Sequence, residues 1–161
     1  MTEIARHSDP FARPIAGVRL GSVRAPVYSN QSRDDLVLIS FDAGTVGGAV
    51  TTTNRFCAAP VHVLRRHLAE TTGVRHWLLN AGNANAGTGE LGMQAALETV
   101  ETLARVTETS MHSIWPFSTG VIGEPLPVQS ICEALPRVLA AQGEDADAWG
   151  QAARAIMTTD T

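Results

Sequence analysis

"VRHWLLNAGNANAGTGELG", residues 74–92, decides the fold. An apolar run around Trp77, Leu78 and Leu79 reads as a buried strand that stops near Asn80. A loop full of Asn and Gly follows it. Beyond the loop, Leu97, Val100, Leu103 and Ala104 form an apolar stripe, with Glu98, Glu101 and Arg105 off it, as in an amphipathic helix of roughly four turns. Residues 111–117 then supply another short strand. Strands that alternate with helices predict an α/β architecture, a layered sheet flanked by helices.

The last six residues of the stretch spell G-x-G-x-x-G, the glycine spacing that cradles a dinucleotide pyrophosphate. The context is wrong for that ligand. The first matching glycine, Gly87, sits several residues beyond the expected strand end, and the next strand finishes in Phe117-Ser118-Thr119 without an acid for a ribose hydroxyl. No G-K-[ST] is present either. Asn80, Asn83 and Asn85 instead bring amides that must find partners if the loop is packed.

Working outward, residues 18–27, 36–41 and 48–53 read as further strands, rich in Val, Ile and Thr and divided by turn residues. Pro60 opens a helix carrying Val61, Leu64 and Leu68, which Gly73 ends. Residues 128–142 are helical, with Pro136 expected to kink or split them, and Asp145 or Asp147 caps a last helix reaching about Met157. We expect residues 1–14 to form a loose leader and residues 15–161 a single domain.

Composition narrows the function. The chain of 161 residues has a net charge of −4, against a nucleic-acid binder. All twelve basic residues are arginine, which excludes a catalytic lysine within the chain. There is no signal-like apolar segment and no run long enough to span a membrane, so a cytoplasmic location is expected. Cys57 and Cys132 are not spaced as a ligand pair, read as reduced thiols in or near the core, and show no activating sequence setting. His62 and His67, five apart, fall on different helix faces, and no metal site is expected. In "FSTGVIGEP" a strand delivers Ser118 and Thr119 into a turn where Gly120 lets backbone approach a ligand. A hydroxyl beside a backbone N–H suits an oxyanion hole.

Four ordered segments, "TTNRFCAAPV" (52–61), "NAGNANAGTGE" (80–90), "STGVIGEPLP" (118–127) and "AIMTTDT" (155–161), resemble the ornithine acetyltransferases, bifunctional glutamate N-acetyltransferases of the cyclic arginine pathway. The resemblance implies the DmpA/ornithine acetyltransferase-like fold of N-terminal-nucleophile type, of which this sequence carries the N-terminal part. It implies acetyl transfer from N-acetylornithine to glutamate through an acetyl-threonine, with acetyl-CoA as a further donor in some members and no resident cofactor. Thr119 and Gly120 match the family's oxyanion-hole pair, and Thr158 matches its substrate-contacting threonine. In the family "TTDT" runs on into a Pro-Lys pair and a self-cleavage site, whereas this sequence ends at Thr161. The nucleophilic threonine is therefore expected on a second, β, chain in an α2β2 assembly. Alone, the chain is expected to be inactive, and to oligomerise or be marginally stable through open strand edges. The alternatives are an inactive relic or amino-acid-binding module, and an amidase or peptidase of the same N-terminal-nucleophile layout.

Overall fold

The computed structural model describes residues 13–28 and 32–158. Most of the expected leader, and Thr159 to Thr161 of the "MTTDT" segment, lie outside the described residues. Four strands, β1 (Val18–Val23), β2 (Leu36–Phe41), β3 (His76–Asn83) and β4 (Ile114–Val121), form one sheet in the order β1-β2-β3-β4. The first two pairings are antiparallel and β3–β4 is parallel. A parallel neighbour needs a crossover, which α2 (Gly89–Thr107) provides. The other helices are α1 (Ala59–Glu70), α3 (Val128–Ala140) and α4 (Ala146–Ala155).

Each sheet face buries its own apolar set. Leu36, Leu38, Leu78 and Ile114 pack against Val100 and Leu103 of α2 and Ile131, Leu135 and Val138 of α3. On the other face, Leu20 and Val37 meet Ala148, Ala152 and Ala155 of α4, whose small side chains allow close approach. Beside them Trp77 stacks on Trp115 at 6.1 Å, with Phe41, Phe117 and Leu64 around the pair. The predicted layered α/β arrangement is the one observed.

Element ends differ from expectation. Residues 48–53 are not a strand: Val50 is fully exposed, and β-branched side chains do not make a strand where no neighbour offers a ladder. Conversely, β3 runs on to Asn83 and β4 to Val121, through residues that read as turn formers, because the two strands hydrogen-bond to each other there. Pro136 leaves α3 in one piece. Asp145 is the cap of α4, accepting the Ala148 N–H at 2.9 Å.

The outer strands are partly closed. The His67 imidazole of α1 hydrogen-bonds the Ile114 carbonyl at 2.7 Å, covering the start of β4. Leu20 and Gly143 exchange backbone hydrogen bonds of 2.9 and 3.0 Å along β1. Pro116, which lacks an N–H, sits in an outer strand, where its missing donor costs least. The far end of β4 stays exposed at Thr119 and Gly120.

Candidate active site at the end of the parallel strands

Leu36, Asn80 and Ser118 lie side by side across β2, β3 and β4, so the start of β2 and the ends of β3 and β4 share one end of the sheet. Thr119 and Gly120 sit at that end, paired with Ala81 and Gly82 at an irregular step in the ladder. Gly120 adopts φ +132°, and a Cβ there would lie 2.3 Å from the Gly82 carbonyl carbon. Only glycine fits, for reasons of conformation and of space. Gly82 is itself crossed closely by Tyr28, whose Cβ would be 2.9 Å from an added methyl.

The Asn-rich loop is packed tightly and accounts for its polar groups. The Asn80 amide donates to the Asn83 carbonyl at 2.8 Å, while its oxygen accepts from Ser118 Oγ at 2.6 Å. The Asn83 amide donates to the carbonyls of Glu124 and Pro125 at 3.2 and 3.1 Å, and its oxygen accepts the Asn85 N–H at 2.8 Å. The Asn85 amide donates to the Gly92 carbonyl at 2.9 Å, and its oxygen accepts from Thr88 Oγ1, also at 2.9 Å. All three asparagines are buried. Backbone bonds from Ala84 to Val121 and from Gly123 to Ala86, both 2.8 Å, complete the clasp between the loop and the turn after β4. Ser118 is thus occupied with Asn80, while its neighbour Thr119 presents its side chain to solvent.

The longer β3 brings the glycines nearer to a strand end than the sequence reading had them, and α2 begins inside the motif at Gly89. A pyrophosphate is still disfavoured. The space at Gly92 is filled by the side chains of Thr88 and Asn85, and Glu90 sets a negative charge in the first helical turn. A groove of about 510 Å³ does open between α2 and the following turn, lined by Leu91, Ala95, Glu98, Gly123, Pro125 and Val128 among others. Neither Thr119 nor Gly120 lines it.

Thr158 is held from the segment ahead of β2. The Arg33 guanidinium, three residues ahead of β2, donates to the carbonyls of Met157 and Thr158, the latter at 3.1 Å. Asp35, one residue ahead of β2, is buried, and its two carboxylate oxygens accept the N–H groups of Ala25 and Val27 at 2.6 and 2.8 Å. That pins the segment leading to Tyr28, which lies over Gly82. Neither role has a local sequence signature, since each depends on chain brought in from a distance.

Among the described residues no group of three or more His, Cys, Asp or Glu side chains is arranged to hold a metal ion. No helix among them is long and apolar enough to cross a membrane. Buried His67 and His76 both have basicity depressed chiefly by desolvation, His76 to a pKa of about 4.

Residues 19–161 match the ArgJ family. The chain is 49% identical over 155 residues to the arginine biosynthesis bifunctional protein ArgJ of Methylococcus capsulatus, covering 96% of this chain and 36% of that protein. It is 48% identical over 147 residues to the protein of the same name from Neisseria gonorrhoeae, covering 91% and 34%. The chain thus spans about a third of the length of these relatives. Among solved structures, ornithine acetyltransferase from Mycobacterium tuberculosis, determined with ornithine, superposes with a TM-score of 0.84 at 31% identity, covering 92% of this chain and 78% of that one. The ArgJ protein of Bacillus halodurans gives 0.84 at 29%, covering 91% and 74%.

Proposed function

The chain belongs to the ArgJ family, and from that membership we propose that it forms the oxyanion-binding half of an acetyltransferase acting in arginine biosynthesis. The observation that carries the reading is the exposed Thr119–Gly120 pair at the end of β4, on backbone that glycine and the buried Asn clasp hold in one conformation. In the proposed reaction the Oγ of a threonine on a second chain attacks the acetyl carbonyl of N-acetylornithine. Negative charge gathers on the carbonyl oxygen, where the Thr119 hydroxyl and the Gly120 N–H donate to it. Collapse breaks the C–N bond, the nitrogen takes up the proton given up by the threonine hydroxyl, and ornithine leaves as the free amine with acetyl on the threonine. The amine of glutamate then attacks that ester and the same two donors hold the second oxyanion; the C–O bond to the threonine breaks, the amine proton returns to the threonine oxygen, and N-acetylglutamate leaves. No cofactor enters either step, and acetyl-CoA is a candidate alternative donor.

Thr158 is assigned to substrate contact, with Arg33 holding its backbone. The second chain, in an α2β2 assembly in the cytoplasm, belongs to the same proposal. Exposed Phe56, Leu91 and Ile122 support a covering partner, since Phe56 and Ile122 flank Gly87 and Leu91 lines the neighbouring groove. The test is to assemble the chain with the C-terminal segment of an ArgJ relative and follow N-acetylglutamate formation from N-acetylornithine and glutamate. Transfer by the mixture and by neither part alone is the expected result. A stable mixed assembly without transfer would overturn the proposal.

A further inference from the structure

We propose that Cys57 is a reactive thiol, a modification site for peroxides and other soft electrophiles, activated by His62 and Arg65. Cys57 lies two residues ahead of α1, with its side chain partly accessible. His62 Nε2 stands 3.2 Å from the sulfur, and Arg65 Nη1 is 3.7 Å from it. The two basic side chains are three apart on α1 and so share a face. Sequence spacing alone gave no such setting, because the chain must turn into the helix before His62 swings back over the thiol.

The arrangement is held rather than incidental. Arg65 is anchored by Nε on Thr51 Oγ1 at 2.9 Å and by Nη2 on the Thr52 carbonyl, which folds residues 51–57 around its guanidinium. The first turn of α1 carries no acid to offset the positive helix end. A partly exposed sulfur in contact with an imidazole and a guanidinium has a proton acceptor and a positive charge at hand when it attacks an electrophile. Cys132 provides the internal contrast. Burial pushes its thiol up, and Glu98 pushes the same way, while a hydrogen bond with Thr102 opposes them.

In the reaction the thiol proton passes to His62 Nε2, in the tautomer whose hydrogen is on Nδ1. The sulfur pair attacks the terminal oxygen of a peroxide, an S–O bond forms and the O–O bond breaks. The leaving oxygen takes the proton back from the imidazolium and departs as water or alcohol. Sulfur is oxidised to the sulfenic acid, the peroxide is reduced, and His62 returns to its neutral form. This chemistry is independent of acetyl transfer.

The experiment is alkylation of the full chain with iodoacetamide at neutral pH, with both cysteine peptides followed by mass spectrometry. Native Cys57 is expected to react at least about fivefold faster than the same residue in the urea-unfolded chain, an excess that exposure alone cannot produce. Native Cys132 is expected to react more slowly than when unfolded. His62→Gln should bring Cys57 to the unfolded rate or below while Cys132 remains protected, which shows that the fold survives. Peroxide followed by dimedone should label Cys57 and spare Cys132. Native Cys57 reacting no faster than unfolded Cys57 would overturn the proposal, as would full reactivity in a folded His62→Gln variant. Should that variant unfold, the comparison of native with unfolded wild-type chain still decides.

Discussion

Ser118 Oγ donates to Asn80 Oδ1 across 2.6 Å, joining β3 to β4 one residue before Thr119. The Asn80 amide is spent on the Asn83 carbonyl, so truncating this side chain leaves both partners short of a bond in a buried setting. Asn80→Ala should cost about 1–3 kcal/mol and lower the melting temperature by several degrees. Thermal melts followed by circular dichroism check this, and a variant melting with the wild type would show the clasp to be dispensable.

Gly120→Ala combines backbone strain at φ +132° with a methyl 2.3 Å from the Gly82 carbonyl carbon. Strain and overpacking are each worth about 1–3 kcal/mol, and here they act together. The expected outcome is a chain that is poorly soluble or melts far below the wild type. Gly123→Ala is the control, because an added methyl at that position meets nothing within 4 Å and only the positive φ is strained.

Thr119→Ala should separate activity from stability. Its side chain is exposed, so the melting curve should move by no more than about 0.5 kcal/mol in free energy. In the two-part assembly, loss of one oxyanion donor should lower kcat by about 10²–10³-fold. Thr119→Ser keeps the hydroxyl and should retain most of the rate. Equal rates for wild type and Thr119→Ala would remove Thr119 from the reaction.

His76 predicts the acid limb of stability. Burial first, then the positive charges of Arg75 and Arg19, hold its pKa at about 4, against 6.5 for the free side chain. The unfolded chain therefore binds a proton that the folded one refuses between those values. Stability is full above about pH 6.5 and falls as pH drops towards about 4, by about 3 kcal/mol in order of magnitude. Urea melts across that range test the slope, which should flatten in His76→Gln. An unchanged slope in the variant would assign acid sensitivity to other groups.

Asp35→Ala should be more damaging than Asp35→Asn. Alanine removes both acceptors from the Ala25 and Val27 amides, whereas asparagine keeps one carbonyl oxygen. Each orphaned buried N–H costs about 1–3 kcal/mol. Amide hydrogen exchange at residues 25 and 27 should accelerate in both variants, and most in alanine.

What was legible in the sequence follows from how local its causes are. Pro60, the stripe Leu97–Val100–Leu103 and the Asp145 cap act within a few residues, and their helices lie close to where the pattern puts them. Strand ends are different. Asn80 to Asn83 and Ser118 to Val121 carry turn-forming residues, yet they are strands because each supplies the other's ladder. Residues 48–53 carry the better β composition and remain irregular for want of a partner. The Thr119–Gly120 pair is proposed from its motif, whereas the need for glycine at 120 is visible only once Gly82 lies against it. Arg33, Asp35 and the His62–Cys57 contact likewise depend on segments that the fold assembles.

The close crossing of Gly82 and Gly120 also bears on how this end of the sheet tolerates mutational drift. Much of what the two strand ends offer there is main chain, which substitutions leave chemically unchanged. The exposed side chain of Thr119 can therefore change with little effect on stability, while the glycine beside it allows almost no change. Robustness and fragility sit on adjacent residues, and deep mutational scanning for stability should resolve a tolerant Thr119 beside an intolerant Gly120 as a sharp step.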